Sequence, residues 1–164
     1  MSRMDTGQVL VGSLLDRLID HDPSSRHDPP RGAGQSLREL KHSVRRDLEN
    51  LLNTRGRFMP LDEGLGELPA SLANYGIPDF AALPMGGRED RDRFRLLIER
   101  AIRRFEPRFK SVSVQLLDRE EPLDRTLRFR IDALLHAEPL PEPVVFDSYL
   151  EPTTRQFQVQ RPRR

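Results

Sequence analysis

The sequence contains no cysteine, and this absence excludes several classes of site. Without a thiol the chain forms no disulfide, holds no thiolate-bound metal and has no cysteine nucleophile. Its net charge is only +1, because 27 basic residues nearly balance 26 acidic ones, so no strong overall field draws it to nucleic acid or to an acidic membrane. Lysine is scarce, with Lys41 and Lys110 alone, and the arginine that replaces it favours forked hydrogen bonds to carboxylates, although a GC-rich genome produces the same bias.

Long hydrophobic runs are missing too. A spanning helix needs about 20 apolar residues, and the most apolar stretch near the N-terminus, QVLVGSLLDRLID, is interrupted by Asp16 and Arg17. The hydrophobic fraction is 36%, the charged fraction is 32% and the mean hydropathy is −0.64. These values predict a soluble, cytoplasmic protein with a small core and long exposed segments, without direct membrane insertion.

Three apolar patterns predict helices. Residues 9–21 carry a stripe at helical spacing, and the linker that follows is rich in Pro, Gly and Ser. A second helix is expected from about 37 to 53, with Ser36 as its N-cap and Glu39 completing a capping box. The clearest helix is 89–105, and Pro107 should end it by moving the preceding residue out of the α region.

Alternating residues predict strands after the last helix. The alternation covers Val112 to Leu116 and, more regularly, Leu127 to Leu135, and the segments VVFDSY and RQFQV are candidates for a third and fourth strand. The predicted fold class is α+β, a small antiparallel sheet with helices packed on one face. We expect an N-terminal helix and flexible linker at 1–35, a single domain at 36–150, and an extension at 151–164 with a final edge strand and a disordered tail.

Sites for cofactors are not indicated. The four histidines do not have metal-ligand spacing, and no glycine-rich phosphate loop is present, so neither a metal nor a cofactor is expected. Paired carboxylates leave open a peptidoglycan hydrolase, with Glu106 as the candidate acid. Arg108 lies two residues later and, if it pairs with Glu106, makes that carboxyl a poor proton donor.

Two interpretations of Glu106-Pro107-Arg108 without catalysis remain. In the first, Arg108 caps the free carbonyls of the preceding helix and Glu106 is solvated. In the second, the rigid Pro107 fixes both charges on the surface, where they meet complementary groups of another protein. Under this second interpretation Arg108→Ala leaves the isolated fold intact and weakens binding.

Five segments in order resemble a known family. They are LLDRL near the N-terminus, VRRDLENLLNTR at 44–55, NYGIPD at 74–79, IERAIRRFEPRF at 98–109 and LRFRIDALL at 127–135. Together they resemble the type VI secretion system baseplate subunit of the phage baseplate-wedge family, whose family label contains the word lysozyme. No paired-carboxylate pattern supports that label, so no catalytic residue is assigned.

The resemblance implies a structural role rather than an enzymatic one. Its expected partners are other baseplate wedge subunits and the contractile sheath, whose first ring would dock on the chain in an assembly near the inner membrane. It implies that Glu106, Pro107 and Arg108 pack against the wedge, and it adds Asn53 and Arg55 to the predicted interface.

Two further docking elements follow from the patterns. The sheet edge, at VVFDSY or RQFQV, can accept a strand from a sheath subunit. Leu14, Leu15 and Leu18 can insert into a groove on a partner, and packing of this helix on its own domain stays an open alternative.

Overall fold

The chain forms two long helices followed by an antiparallel sheet, which confirms the predicted α+β class. The computed structural model describes residues 18, 23–24, 33–56, 66–68, 71–79, 87–117, 126–137, 140–151 and 153–162. The elements, in chain order, are α1 (Ala33–Asn53), a 3-10 helix (Leu72–Asn74), α2 (Arg88–Phe105), β1 (Phe109–Leu117), β2 (Leu127–Leu135), β3 (Glu142–Leu150) and β4 (Phe157–Gln160).

Helix α1 ends where the sequence predicts but begins earlier. It starts at Ala33, so Ser36 lies inside the first turn and the prediction that Ser36 caps the helix is wrong. A capping-box pattern marks a start only when the residues before it leave the helical conformation, and here Ala33, Gly34 and Gln35 are already helical although glycine is a poor helix former. The side that carries Leu40, Val44, Leu48, Leu51 and Leu52 is buried.

Helix α2 agrees with its prediction at both ends to within one residue. Its apolar stripe is buried through Phe94, Ile98, Ala101 and Ile102. Glu106 has φ −118° and ψ 79°, outside the helical region, as expected for a residue that precedes proline.

The four strands form a meander in the order β1-β2-β3-β4, with every neighbour antiparallel. VVFDSY lies in β3, which β4 covers only from Asp147 onward, so among the described residues it is an edge only in its first half, whereas RQFQV supplies β4 and is one edge. Strand β4 is short and pairs only with Asp147 to Leu150. Among the described residues no strand therefore lies beside β3 from Glu142 to Phe146 on that side.

One face of the sheet packs against both helices. Along β2 the burial alternates without exception, which confirms the inference from its sequence. The rings of Phe94, Phe129 and Phe157 meet at the centre of the core, with centroids 5.9 to 6.3 Å apart. The other face carries polar side chains, including a cross-strand pair between Arg130 and Asp147 at 3.0 Å.

The first predicted helix, at 9–21, lies outside the described residues except for Leu18. This residue is 81% exposed. Within the described part of the chain, no helix is both long and apolar enough to cross a membrane.

Candidate functional site at the junction of α2 and β1

The segment Glu106-Pro107-Arg108 connects the last turn of α2 to β1. The amide of Glu106 makes the last helical hydrogen bond, to the Ile102 carbonyl at 2.9 Å, and the Glu106 carbonyl accepts from the Phe109 amide at 3.2 Å. The carbonyl of Arg108 accepts from the His136 amide at 2.8 Å, at the end of β2. The junction is thus a tight turn, fixed by backbone bonds to a helix and to the sheet.

The guanidinium of Arg108 is bound by two carboxylates. Its Nε donates to Glu106 Oε1 at 2.6 Å and one terminal nitrogen donates to Glu106 Oε2 at 2.5 Å, which is a bidentate pair. The same nitrogen donates to Asp47 Oδ2 at 2.7 Å, and the other donates to Ser43 Oγ at 3.0 Å. We call these four residues, Ser43, Asp47, Glu106 and Arg108, the junction cluster.

The junction cluster joins elements that are distant in sequence. Asp47 and Ser43 lie one turn apart on α1, whereas Glu106 and Arg108 follow α2. Through its bonds to Ser43 and Asp47, the Arg108 guanidinium links α1 to the junction between α2 and β1.

The junction cluster is more buried than an ordinary surface ion pair. The side chain of Glu106 is only 5% exposed, and those of Arg108 and Asp47 are 23% and 25% exposed. The expectation that both charges of the motif lie on the surface is therefore wrong for Glu106. The alternative in which Arg108 caps helix carbonyls and Glu106 is solvated is wrong as well, since the guanidinium donates to side chains and the carboxylate is buried.

The neighbouring carboxylates of Glu106 and Asp47 favour the charged form of Arg108. Burial by itself lowers the pKa of Arg108, but the hydrogen bond and attraction of Glu106, with a smaller contribution from Asp47, outweigh it and raise that pKa above its usual range. Nearby, burial raises the pKa of Tyr75, and the negative charges of Asp47 and Glu106 raise it further against the opposing effect of Arg108.

The geometry does not suit glycoside hydrolysis. Both oxygens of Glu106 accept hydrogen bonds from the same guanidinium, and the carboxylate is shielded from solvent, so it does not face a cleft. The second carboxylate, Asp47, binds that guanidinium too and leaves no space for a sugar between the acids. Within the described residues, no group of three or more His, Asp or Glu side chains is arranged to hold a metal ion.

The other predicted interface residues lie elsewhere. Asn53 donates to the Phe157 carbonyl at 2.9 Å and accepts from the Phe157 amide at 2.8 Å, so its amide pairs with β4 as a strand would. Arg55 donates to the Arg155 carbonyl at 3.1 Å, in the turn before β4. Leu14 and Leu15 lie outside the described residues, and the interface role of the whole set stays a prediction.

Both edges of the sheet are bound by helix side chains, a feature that sequence reasoning missed. On the β4 edge Arg45 donates to the Val159 carbonyl at 3.1 Å, next to the Asn53 pair. On the β1 edge Arg95 donates to the Val114 carbonyl and Glu99 accepts from the Val114 amide, both at 3.1 Å.

The β1 edge has one more contact, from Arg103 to the Val112 carbonyl at 3.2 Å. Arg95, Glu99 and Arg103 are spaced four residues apart, a pattern that indicates helix ion pairs and indeed forms them. That spacing could have predicted the two ion pairs along α2, but it does not show which strand these side chains contact.

A comparison with models of known protein families gives a match. A family model described as baseplate wedge protein gp25 matches residues 38–140, which run from α1 to the loop after β2 and include the junction cluster. No curated protein and no solved structure matches the chain.

Proposed function

The chain belongs to the family of the baseplate wedge protein gp25, and from this membership we propose that it is a structural subunit of a type VI secretion baseplate. The observation that carries the proposal is the extent of the match, residues 38–140 of 164, which covers most of α1, all of α2 and the first two strands. Membership of this family supports a structural role in a baseplate. The type of machine, its partners and its site in the cell are proposed.

We propose the cytoplasmic side of the inner membrane as its location, within a wedge made with other baseplate subunits. In this assignment residues 36–150 form the functional domain, and the segment after 150 adds β4 to its sheet. No enzymatic step is proposed, because the best candidate acid, Glu106, is buried in an ion pair.

Docking of the contractile sheath is the finer part of the proposal. A strand from another protein binds a sheet through free backbone groups on an edge. The edges of β1 and β4 offer few such groups, because helix side chains already bind Val112, Val114, Phe157 and Val159.

The open half of β3 is better suited. The backbone groups of Phe157 and Val159 point away from β3, so those of Gln158 and Gln160 point toward it, opposite Tyr149 and Asp147. By the same alternation the amide and carbonyl of Val145 point to the side that β4 does not reach. The described residues provide no partner for them there.

We therefore propose that a sheath strand pairs with β3 near Val145, in line with β4. Proline at this position removes the outward amide but leaves the bonds to β2, so Val145→Pro should keep the fold while sheath assembly fails. The matched control is Leu140→Pro, in the exposed loop before β3. Normal sheath assembly with a folded Val145→Pro variant would overturn this docking site without affecting the wedge assignment.

Affinity purification tests the wedge assignment itself. The tagged full chain is used as bait in cells that make the complete secretion machine, with an unrelated bait of similar size as the control. Mass spectrometry should find other baseplate subunits among the enriched proteins. Their absence, with the bait folded by circular dichroism, would contradict the proposal.

A further inference from the structure

A groove lies beside the junction cluster, between the second half of α2 and the loop before it. Its volume is about 250 Å³, and Leu97, Ala101 and Phe105 of α2 form one wall. Pro78 and Gly76 lie on the opposite wall. Pockets for small-molecule ligands usually enclose roughly 300–1,000 Å³. The groove is therefore suited to one or two side chains of a protein rather than to a cofactor.

The loop wall is held rigidly. Gly56 donates to the Ile77 carbonyl at 2.8 Å and Ile77 donates to the Thr54 carbonyl at 3.0 Å, which ties the two ends of the loop together. Gly76 has φ +111°, and a Cβ there would lie 2.9 Å from the carbonyl carbon of Thr54. Only glycine allows this close approach of the two backbone segments, so this side of the groove depends on Gly76.

The helix wall is connected to the junction cluster. The ring of Phe105 packs edge-on against Tyr75, with centroids 5.3 Å apart. Phe105 directly precedes Glu106, and Tyr75 is close enough to Asp47 and Glu106 for their charges to raise its pKa. The groove therefore lies next to the junction cluster, with Phe105 and Tyr75 between them.

Charge indicates what the groove binds. Arg100 and Arg104 line it from successive turns of α2, both side chains are exposed, and none of the described residues that line the groove is acidic. An arginine fork beside an apolar surface is complementary to a carboxylate next to an apolar side chain. The C-terminal end of the α2 dipole is negative and opposes an anion there, so attraction of a carboxylate depends on the two guanidinium groups.

We propose that this groove binds an acidic segment of a neighbouring baseplate protein, with one apolar side chain between Leu97 and Pro78 and a carboxylate on Arg100. The proposal rests on the baseplate assignment above and names the chemistry of one partner surface. In this proposal the interface predicted at the Glu-Pro-Arg motif extends to the groove beside it.

The test uses nuclear magnetic resonance of the full chain with three blocked synthetic pentapeptides. Their sequences are Asp-Glu-Leu-Glu-Asp, the neutral Asn-Gln-Leu-Gln-Asn and the basic Lys-Arg-Leu-Arg-Lys. The amides of Gly56 and Gly76 report from the groove, and the amide of Gly87, at the opposite end of α2, is the internal control. The acidic peptide alone should shift Gly56 and Gly76, with a Kd on the order of 1 mM, as for a single weak contact.

Two variants assign the effect to the groove. Arg100→Gln should weaken binding of the acidic peptide about 3- to 5-fold, since it removes one exposed charge pair. Arg93→Gln removes an arginine of the same helix that is 77% exposed and does not line the groove, and it should leave binding unchanged.

Equal shifts with the basic or neutral peptide, equal weakening by both variants, or no shift at Gly56 and Gly76 would each overturn the proposal. These outcomes are distinct from failure of the wedge assignment. If the groove binds no peptide but the protein still recovers baseplate subunits from cells, only the proposed binding site is refuted. A groove that binds in a protein that recovers none eliminates the baseplate assignment.

Discussion

Removal of the Arg108 side chain should destabilise the isolated protein. The change Arg108→Ala deletes four side-chain hydrogen bonds and leaves the carboxylate of Glu106, 5% exposed, without its counter-ion. Breaking a buried ion pair by removing one partner costs about 3–5 kcal/mol. Because Arg108 and Asp47 are about one quarter exposed, water can partly replace the lost bonds, and we expect the lower end, about 3 kcal/mol.

The assay is urea unfolding followed by circular dichroism, together with thermal unfolding. For a chain of this size 1 kcal/mol corresponds to roughly 2–4 °C in Tm, so Arg108→Ala should lower Tm by roughly 6–12 °C. Arg108→Lys should lower Tm by only part of this amount, since the ammonium keeps the positive charge but cannot bind two carboxylates as a fork. The control is Arg93→Ala, whose ion pair with Glu89 is 4.0 Å long and exposed and should change stability by less than about 0.5 kcal/mol.

A cycle with Asp47→Asn separates the contributions. If the cluster acts as one unit, the Arg108 and Asp47 changes should be non-additive by about 1 kcal/mol. An Arg108→Ala protein as stable as the Arg93→Ala control would refute the reasoning. It would restore the interpretation from sequence, in which Arg108 is dispensable for folding and acts on a partner.

Three other perturbations follow from single contacts. Asn53→Ala should cost about 1–3 kcal/mol in urea unfolding and speed hydrogen exchange at the Phe157 amide, since both backbone groups of Phe157 lose a partner; unchanged exchange there would contradict the edge pairing. Gly76→Ala should cost about 2 kcal/mol or more in the same assay, because the positive φ and the Thr54 carbonyl leave no room for a Cβ, and a neutral effect would show that the loop relaxes easily. The raised pKa of Tyr75 adds stability that is complete below the ordinary tyrosine pKa of about 10 and is lost as pH rises through the raised value. Tyr75→Phe should therefore flatten the fall in stability above about pH 10, and an unchanged slope would contradict this assignment.

Local sequence patterns determined most of the elements. The apolar stripe of α2, the strict alternation along β2 and the proline that ends α2 each act within a few residues, so their consequences can be predicted without the rest of the chain. The start of α1 was missed because the capping pattern at Ser36 does not show that the three residues before it are already helical. The family resemblance was found from five short segments in order, and the family match confirms it.

The contacts that make the site were not predictable, because they join residues far apart in sequence. Nothing local pairs Arg108 with Asp47, 61 residues earlier, or Asn53 with Phe157, 104 residues later. The sequence indicated that Glu106 and Arg108 were unusual at a junction, but it could not show that Glu106 is buried. Burial depends on how α1 crosses the junction, and this is a property of the packed fold.

The most direct test of the account is the assembly of contractile sheaths in cells that lack this chain. A baseplate subunit on which the sheath is built should be required, so fluorescently labelled sheaths should be absent from the deletion strain and return with the wild-type chain. Sheaths of normal number and length in the deletion strain would contradict the central claim that this protein is a structural part of the baseplate.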